Sequence, residues 1–426
     1  MRAVRLSVDV NDTEIVSLVH QFLAITGQDP WARKVRVMYE QGRENQFLCQ
    51  WQLQFCGIEF KLAQLLARQH EEGLFPINPE DELHYELYGF VAGVVRIYEQ
   101  LTPFGQNRLR GMLLDGLKPD NHLLSLQHEV LTAVHLAQRG YDLVMNDLET
   151  GSGVDFIAER DGVEMEVECK LFTGDVGRKI HRRKVYALHH HLRTTIARAY
   201  KNSARGLCVR VTLPDRLNCG PAQLAAIESA LSSGLLSGTA ITKTDACEVE
   251  VNDFDVASSP FNLSNPHDLS MKAVQDFGRK QLGRFNKEIM VFFSPGKRAV
   301  LALIESEKPD DVLNAIARDI RESARKQFTK TRPGILAVQL HDLTADQMES
   351  LGKSQGPTRG SGTGLQIMTS DFLDSPKRAH IHTVVYRSHG RLSASDSAVT
   401  SSGPAYSIRN PHNSHHADPR CRVFSN

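Results

Sequence analysis

The chain has 426 residues, more than a single hydrophobic core usually serves, so its length predicts two or three domains. Its 41% hydrophobic and 23% charged residues are typical of a globular protein, and 50 Lys and Arg balance 50 Asp and Glu. The neutral total excludes a uniformly basic or acidic binder, so any signal for nucleic-acid binding must be local.

Membrane and disulfide-rich classes are also disfavoured. No apolar run approaches the roughly 20 residues that cross a bilayer, and the N-terminal stretch MRAVRLSVDVNDTE lacks the apolar segment of a secretory signal. The seven cysteines form no CxxC pair, so neither a disulfide framework nor a zinc site of clustered cysteines is expected. We therefore expect a cytoplasmic protein with no membrane partner.

The first region, residues 1–118, is predicted to be α-helical. Apolar residues recur at helical spacing, for example at Phe90, Val91, Val94 and Val95. KPDN at 118–121 then predicts a break followed by a helix start.

Residues 119–215 are predicted to form an α/β core. A helix ending at Gly140 precedes three β-like runs, YDLVMNDL, GVDFIAER and VEMEVECKLF, and the last two are joined by a predicted hairpin turn at residues 160–162. A helix over about 178–204 and an apolar strand, GLCVRVTL, follow. The predicted order is helix, three strands, helix, strand.

Residues 216–392 are predicted to be an α+β region. After a helix beginning at Pro221, the runs IMVFFS and RAVLALIE, a helix over about 309–328 and the run GILAVQLH follow in order. These elements either extend the core sheet or form a layer of their own. The tail, residues 393–426, has few large apolar residues and is predicted to be disordered.

Three polar residues of the predicted hairpin carry chemistry. Asp155 begins one strand, and Glu168 and Lys170 lie two residues apart on the next, so they share a face of that strand. Two carboxylates from neighbouring strands are hard oxygen ligands of the kind Mg²⁺ takes together with substrate phosphates. Lys170 could orient or deprotonate a water, or offset charge on the phosphate. The pattern indicates phosphodiester hydrolysis.

The D…ExK pattern of Asp155 in GVDF and Glu168-Cys169-Lys170 in VECK, preceded by a helix carrying Glu129, resembles the PD-(D/E)xK nuclease superfamily. The likeness covers about residues 121–215, and Val154 stands where that family's proline would be. It implies a restriction-endonuclease-like mixed sheet flanked by helices. It also implies Asp155 and Glu168 as ligands of Mg²⁺ or Mn²⁺, a catalytic Lys170, and Glu129 as an auxiliary acid.

Each of these residues has a plainer interpretation. Glu168 and Lys170 could be a solvated strand face with cross-strand ion pairs, and Glu129 an ordinary surface glutamate. Glu166 is a further acid, less favoured because the family pattern uses one carboxylate before the lysine. Glu59-Phe60-Lys61 is a second ExK triplet, but no predicted strand with an aspartate precedes it and no basic helix follows it.

Between residues 178 and 205 the chain has nine Lys or Arg and no Asp or Glu. Such a segment could contact a phosphate backbone, or it could complement acidic surface elsewhere in the fold. The predicted nucleic-acid-binding residues are Arg178, Lys179, Arg182, Arg183 and Lys184.

Two other motifs are rejected. Gly352-Lys353-Ser354 lacks the preceding glycine of a phosphate-binding loop, since Gln347 occupies that position, so no ATP is expected. The side chains of three consecutive histidines, residues 189–191, point in different directions on a helix and cannot bind one ion together.

These features predict a Mg²⁺-dependent nuclease acting on nucleic acid, with DNA as the expected substrate. The alternative is a non-catalytic protein on the same fold that binds nucleic acid or a protein partner and needs no metal. The sequence does not decide between DNA and RNA, and it leaves strandedness, biological role and self-association as a homo-oligomer open.

Overall fold

The computed structural model describes residues 12–45, 48–72, 82–119, 121–202, 205–237, 241–261, 271–282, 289–294, 298–341, 364–387, 391–395, 398–402 and 405–423. These residues form two compact units. Unit 1 takes its residues from 1–40, 52–177 and 312–426, and unit 2 from 41–51 and 178–311.

The N-terminal part of the chain is helical, as predicted, because apolar residues recur at helical spacing and are buried together. Its helices are α1 (Asp12–Thr26), α2 (Asp29–Glu44), α3 (Leu48–Phe55), α4 (Gly57–Glu72), α5 (Glu82–Gln100) and α6 (Pro103–Gly116). The next helix, α7 (Leu124–Gln138), packs against α5 and leads into the sheet of unit 1.

The sheet of unit 1 has six strands. They are β1 (Asp142–Val144), β2 (Phe156–Arg160), β3 (Val163–Phe172), β9 (Gly334–Leu340), β10 (Ile381–Arg387) and β13 (Ala405–Arg409), in the order β1-β2-β3-β9-β10-β13. β9 pairs in parallel with both β3 and β10, and the other pairs are antiparallel. The mixed α/β class predicted from the sequence is therefore correct.

The predicted hairpin is present. β2 and β3 are joined by Asp161 and Gly162, whose φ angles of 50° and 76° are both positive, as the tight turns of hairpins require. Asp and Gly adopt this conformation at low cost, which explains the local sequence.

Both faces of this sheet are covered. One face buries Met165, Val167 and Cys169 of β3 in a core that includes α5 and α7. The other face buries Leu336 and Val338 of β9 against α12 (Val312–Lys326) and α13 (Gly364–Leu373). Glu168 and Lys170 lie in register with Leu336 and Val338, so they continue the second face.

Unit 2 holds the second sheet, in the order β5-β6-β4-β8-β7. Its strands are β4 (Gly206–Leu213), β5 (Ile241–Lys243), β6 (Glu248–Phe254), β7 (Ile289–Ser294) and β8 (Arg298–Ser306), and its helices are α9 (Arg182–Asn202), α10 (Pro221–Ser237) and α11 (Met271–Leu282). Buried residues of α9, including Leu188 and Leu192, join those of β4 in one apolar cluster.

The grouping of strands differs from the predicted core of residues 119–215. β4 is a strand of the sheet of unit 2, and the helix before it, α9, also lies in unit 2. The sheet of unit 1 is completed instead by β9 and β10, which lie about 160 or more residues beyond β3. The reason is that the apolar face of α9 is buried against β4 and α10.

The segment predicted to be disordered, residues 393–426, also differs in its described part. β11 (Arg391–Ser395) pairs with β12 (Ala398–Ser402), and β13 pairs with β10. After β13, the Asn410 side chain donates to the carbonyls of Arg378 (2.8 Å) and Ile381 (2.9 Å). Polar side chains therefore stabilise this segment where large apolar residues are few.

Within the described residues, no helix combines the length and the apolar character that crossing a membrane requires.

Candidate metal-binding carboxylate site

Asp155 immediately precedes β2, and Glu168 lies in the second half of β3. Phe156 pairs with Val167, so the antiparallel register brings Asp155 next to Glu168. Asp155 Oδ2 accepts a hydrogen bond of 2.6 Å from the backbone N–H of Cys169, which fixes the carboxylate at the edge of the strand pair. This register therefore places side by side the two carboxylates that the sequence predicts to converge.

The loop before Asp155 is held by Asn146. This residue begins the short helix α8 (Asn146–Thr150), and its Nδ2 donates to the carbonyls of Ser152 and Val154, each at 3.0 Å. Gly153 has a φ of 87°, and a Cβ there would lie 2.9 Å from Asn146 Nδ2. The glycine is thus needed for the close turn that delivers Asp155 to β2.

Glu168 is 2% exposed, so its carboxylate is not part of a solvated face. Its Oε1 lies 2.7 Å from Lys170 Nζ. Its Oε2 is buried and has no hydrogen-bond partner of normal geometry among the described residues, although the backbone N–H of Asp155 is near enough to lower the pKa of this carboxyl. A buried carboxylate oxygen without a donor is costly unless something else pairs with it.

Glu166, the alternative acid of β3, is used structurally. Its two oxygens accept hydrogen bonds from the backbone N–H and the hydroxyl of Thr329, at 2.9 and 2.5 Å. Arg332 lies 3.7 Å from the same carboxylate. These contacts join β3 to the segment before β9, and they do not involve Asp155 or Glu168.

Glu129 on α7 lies at the same end of the sheet. It lines a small cavity together with Asp147 and Asp155. The remaining lining residues are apolar, and they come from α5, α6, α7 and the β1–α8 segment: Ile97, Leu109, Leu126, Val130, Met145 and Leu148. The structure thus brings Glu129 to the site where the resemblance expects an auxiliary acid.

Asp147 is a further acid of this site that the sequence did not single out. It lies on α8, and its backbone N–H donates to the carbonyl of Asp155 at 3.2 Å. Its Oδ2 accepts from Arg108 Nη2 at 2.9 Å. The run YDLVMNDL predicts one strand, but β1 ends at Val144 and the chain is helical from Asn146. Because α8 is too short to show a periodic pattern, the sequence does not predict that Asp147 lies at this site.

The carboxyl groups of the site perturb one another. Burial, reinforced by Glu168 and Asp147, raises the pKa of Glu129 to about 7. Burial, together with Glu129 and Glu168, raises the pKa of Asp155 well above its usual value. Burial also raises the pKa of Glu168, although Lys170 opposes that shift. Clustered carboxyls of this kind hold protons that a cation would replace.

Lys170 keeps its charge in this setting. Burial alone would lower its pKa, but Glu168, Asp155 and Glu129 outweigh it and raise the pKa of Lys170. An ammonium group with a raised pKa donates hydrogen bonds and stabilises negative charge, and it is a poor proton acceptor at neutral pH.

The spacing of the carboxylates limits the ligand set. Across the part of the chain that the structure describes, the one trio of His, Cys, Asp and Glu ligand atoms within 4.8 Å of one another is His415, Asp418 and Cys421. Glu129, Asp155 and Glu168 are therefore spaced more widely than that as a trio. Two of them, Asp155 and Glu168, with waters and a phosphate, suit Mg²⁺, which takes one or two protein carboxylates in such sites.

Comparison with protein-family models, curated proteins and solved structures found no match for the chain. The function is therefore inferred from the site itself.

The predicted nucleic-acid-binding residues all lie in unit 2. Arg178 and Lys179 precede α9, whose first three residues are Arg182, Arg183 and Lys184. The five side chains are half-buried. The Arg183 guanidinium lies over the Trp51 ring, 5.2 Å from its centroid. The first turn of α9 has no acidic residue, so its N-terminal N–H groups and the basic side chains present the same sign of charge.

Proposed function

We propose that this protein is a metal-dependent phosphodiesterase that hydrolyses nucleic acid, with DNA as the expected substrate. The observation that carries the proposal is the environment of Glu168. Its Oε2 is buried without a hydrogen-bond partner of normal geometry among the described residues, beside the Asp155 carboxylate, while its Oε1 contacts Lys170.

The charge of the site favours a cation. Four carboxyl groups, from Glu129, Asp147, Asp155 and Glu168, interact electrostatically at this end of the sheet. Among the described residues, Lys170 pairs with Glu168 and Arg108 pairs with Asp147, so two cations contact these four carboxyl groups. Like charges in a partly buried site destabilise the metal-free protein, and a divalent cation would relieve that repulsion.

The roles follow from the positions of the groups. Asp155 and Glu168 would hold Mg²⁺ or Mn²⁺, which when bound supplies Lewis-acid polarisation of the scissile phosphate and activation of the attacking water. Lys170, charged and 30% exposed at its side chain, orients the water and stabilises negative charge on the phosphate. Glu129, with a pKa of about 7, suits a group that accepts or returns a proton near neutral pH.

The nucleic-acid component of the proposal depends on the basic start of α9. Phosphates bind favourably at helix N-termini, where backbone N–H groups and nearby cations act together. Arg182, Arg183 and Lys184 supply three cations in that first turn. Contacts of this type depend on charge and not on base sequence, so they predict salt-sensitive binding.

Cleavage assays with plasmid and single-stranded DNA, with and without Mg²⁺, test the proposal. We expect Asp155→Asn and Glu168→Gln to lower Mg²⁺-dependent cleavage by about 100-fold or more. Glu164→Gln is the matched control, because Glu164 is on the same strand and face but is exposed and paired with Arg332. That variant should stay within about twofold of the wild type.

Calorimetric titration with Mg²⁺ separates the two hypotheses for this fold. An enzyme of the proposed type binds Mg²⁺ and loses that binding in Glu168→Gln. DNA binding that persists while neither Mg²⁺ binding nor cleavage is detected would favour the non-catalytic binder. Cleavage that is unchanged in both site variants would refute the assignment of the site.

A further inference from the structure

A second group of ligand-type side chains lies far along the chain from the carboxylate site, in residues 410–423. This segment follows β13 and is held by side-chain hydrogen bonds to backbone. Asn413 Nδ2 donates to the carbonyl of Ala379 at 2.7 Å, and its Oδ1 accepts from the N–H of His415 at 2.9 Å. His416 Nδ1 lies 2.9 Å from the carbonyl of Asn410. The position of His415 is thus set by the fold of the segment.

The short 3-10 turn Pro419–Cys421 anchors the other end. Asp418 caps this turn by accepting the N–H of Arg420 at 2.9 Å. The carbonyl of Arg420 accepts from the hydroxyl of Tyr141 at 2.7 Å, and Arg420 Nη1 donates to the carbonyl of Asp161 at 3.0 Å. Cys421 is fully buried as part of the core of unit 1.

Between these two anchors, three ligand atoms converge. A ring nitrogen of His415, a carboxylate oxygen of Asp418 and the sulfur of Cys421 all lie within 4.8 Å of one another. His415 Nδ1 is 3.7 Å from Asp418 Oδ2. Ligand atoms that surround one zinc ion at bond lengths of about 2.0 to 2.3 Å are separated by distances of this order.

His382 on β10 is an independent indication of a ligand. Its ring is fully buried, and neither nitrogen has a hydrogen-bond partner of normal geometry among the described residues. The ring lies against the backbone of His415 and lines the same cavity as Cys421. A buried imidazole with both nitrogens unsatisfied is costly unless a ligand binds it.

We propose that His415, Asp418 and Cys421 bind Zn²⁺, and that the ring of His382, which in this structure lies outside the group of ligand atoms within 4.8 Å of one another, turns toward the ion as the fourth ligand. Mixed nitrogen, oxygen and thiolate donors are the set that zinc prefers, whereas Mg²⁺ and Ca²⁺ take oxygen ligands. Four protein ligands leave no open position, so the site is structural: it joins the C-terminal segment to β10. The site is separate from the carboxylates that the proposed nuclease activity uses.

The ion pair between Asp418 and Arg420 is compatible with zinc. Arg420 Nε and Nη2 donate to Oδ1 and Oδ2 of Asp418, at 3.0 and 2.9 Å. A carboxylate oxygen accepts in two directions, so Oδ2 can contact the ion while it keeps the arginine. Carboxylates that bind metals are usually hydrogen-bonded in this way by a neighbouring group.

The test uses the full chain stripped with a chelator and then titrated with Zn²⁺ or Co²⁺ alone. In Asp155→Asn, which lacks a ligand of the carboxylate site, we expect one equivalent of Zn²⁺ to bind, and Co²⁺ to give tetrahedral absorption bands together with a thiolate-to-cobalt charge-transfer band. His415→Ala should weaken Zn²⁺ binding by at least about tenfold, and Cys421→Ser should abolish the charge-transfer band.

Matched controls come from the same chain. His412→Ala removes an exposed histidine three residues from His415, and Cys247→Ser removes a buried cysteine of unit 2; both should keep the full affinity and spectrum. Asp155→Asn should also bind Zn²⁺ normally, which distinguishes this site from the carboxylate site.

Several outcomes would overturn the assignment. They are the absence of stoichiometric Zn²⁺ binding, a bound Co²⁺ without the thiolate band, and an unchanged Zn²⁺ affinity in His415→Ala. The His415 side chain is half-exposed, so its removal should not prevent folding, and the affinity of His415→Ala reports on the ligand itself. An unchanged Co²⁺ spectrum in His382→Gln would overturn the fourth ligand.

Discussion

The carboxylate of Asp155 accepts the backbone N–H of Cys169 at 2.6 Å, so one side chain both continues the β2–β3 ladder and faces the carboxyl of Glu168. The hydrogen bond needs an oxygen acceptor at this position but not a charge. The negative charge itself is repelled by Glu129 and Glu168. Structure and function therefore make different demands on the same carboxylate.

This difference predicts that Asp155→Asn and Asp155→Ala have different free energies of unfolding. Asn keeps an acceptor for Cys169 and removes a repelled charge, so the metal-free protein should be at least as stable as the wild type. Ala leaves the N–H unpaired and should cost about 1 to 3 kcal/mol. Urea unfolding in a chelating buffer measures both. Equal loss in the two variants would contradict the structural role of the hydrogen bond.

Lys170→Met should separate metal binding from catalysis. Without Lys170, the largest influence that lowers the pKa of Glu168 is lost, so a proton competes better with Mg²⁺ and affinity falls modestly. Because Lys170 is the cation nearest Glu168, turnover at saturating Mg²⁺ should fall further, by about 100-fold or more. Lys61→Met, at the lysine of the other ExK triplet on α4, is the control and should leave turnover unchanged.

Glu129 should give the metal-free protein a distinct pH dependence. Its pKa is about 7 in the folded chain against 4.5 as the ordinary value, so the folded state binds more protons between those values. The proton bound by Glu129 in the folded state stabilises the protein. That contribution to the free energy of unfolding is full below pH 4.5 and is lost as the pH rises through 7. At pH 8, Glu129→Gln should therefore exceed the wild type by about 1 to 3 kcal/mol, and near pH 4.5 the two should agree.

Unfolding free energies of the two proteins at pH 4.5, 6 and 8 measure that difference directly. Buried histidines also make the free energy of unfolding depend on pH. Burial lowers the pKa of His128 to about 3, for example, and its effect on stability has the opposite sign. This contribution is the same in the variant and the wild type, so it cancels in the difference between them. A difference that is independent of pH would mean that Glu129 is not perturbed as described.

How much of this site the sequence predicts depends on the range of the interactions involved. The β2–β3 hairpin follows from alternating residues and an Asp161-Gly162 turn, all within a few positions. Asp155, Glu168 and Lys170 are therefore found from the sequence. Asp147 is not, because its helix has five residues and no periodic pattern, and its approach to Asp155 depends on the Asn146 loop bonds.

Sheet membership is the part that local patterns cannot decide. β4 and β9 have similar apolar sequences, GLCVRVTL and GILAVQL, yet they lie in different sheets. β9 pairs with β3 across more than 160 positions, and this pairing is selected by the apolar surface that α12 and α13 cover. The prediction of disorder for the C-terminal segment is wrong for a related reason: side chains such as Asn410 order it by hydrogen bonds, which composition does not reveal.

The basic start of α9 should determine the salt dependence of DNA binding. Replacing Arg182 and Lys184 with Ala removes up to two phosphate contacts, so the slope of log affinity against log salt should decrease by about 2. Arg325→Ala with Lys326→Ala, at the exposed end of α12, is the matched control. Fluorescence anisotropy at several salt concentrations measures the slopes, and equal slopes in both double variants would count against α9.

Two glycines of α5 should respond in opposite ways to alanine, because only one of them lies against the part of α7 next to Glu129. A Cβ at Gly93 would lie 2.6 Å from Val130 Cγ1 and 2.9 Å from Val134 Cγ2. Gly93→Ala must therefore push α7 away, at a cost of about 1 to 3 kcal/mol, and the shift of Val130 displaces Glu129.

At Gly89 the nearest atom to an added Cβ is Leu131 Cδ2 at 3.5 Å, an ordinary contact. Gly89→Ala should thus stabilise the helix by about 0.5 to 1 kcal/mol and leave cleavage unchanged. Thermal unfolding and Mg²⁺-dependent cleavage of the two variants make the comparison. If Gly93→Ala loses stability but keeps full cleavage, the placement of α7 does not control the carboxyls of the proposed site. If both glycines tolerate alanine equally, α5 and α7 are packed less closely than this geometry requires.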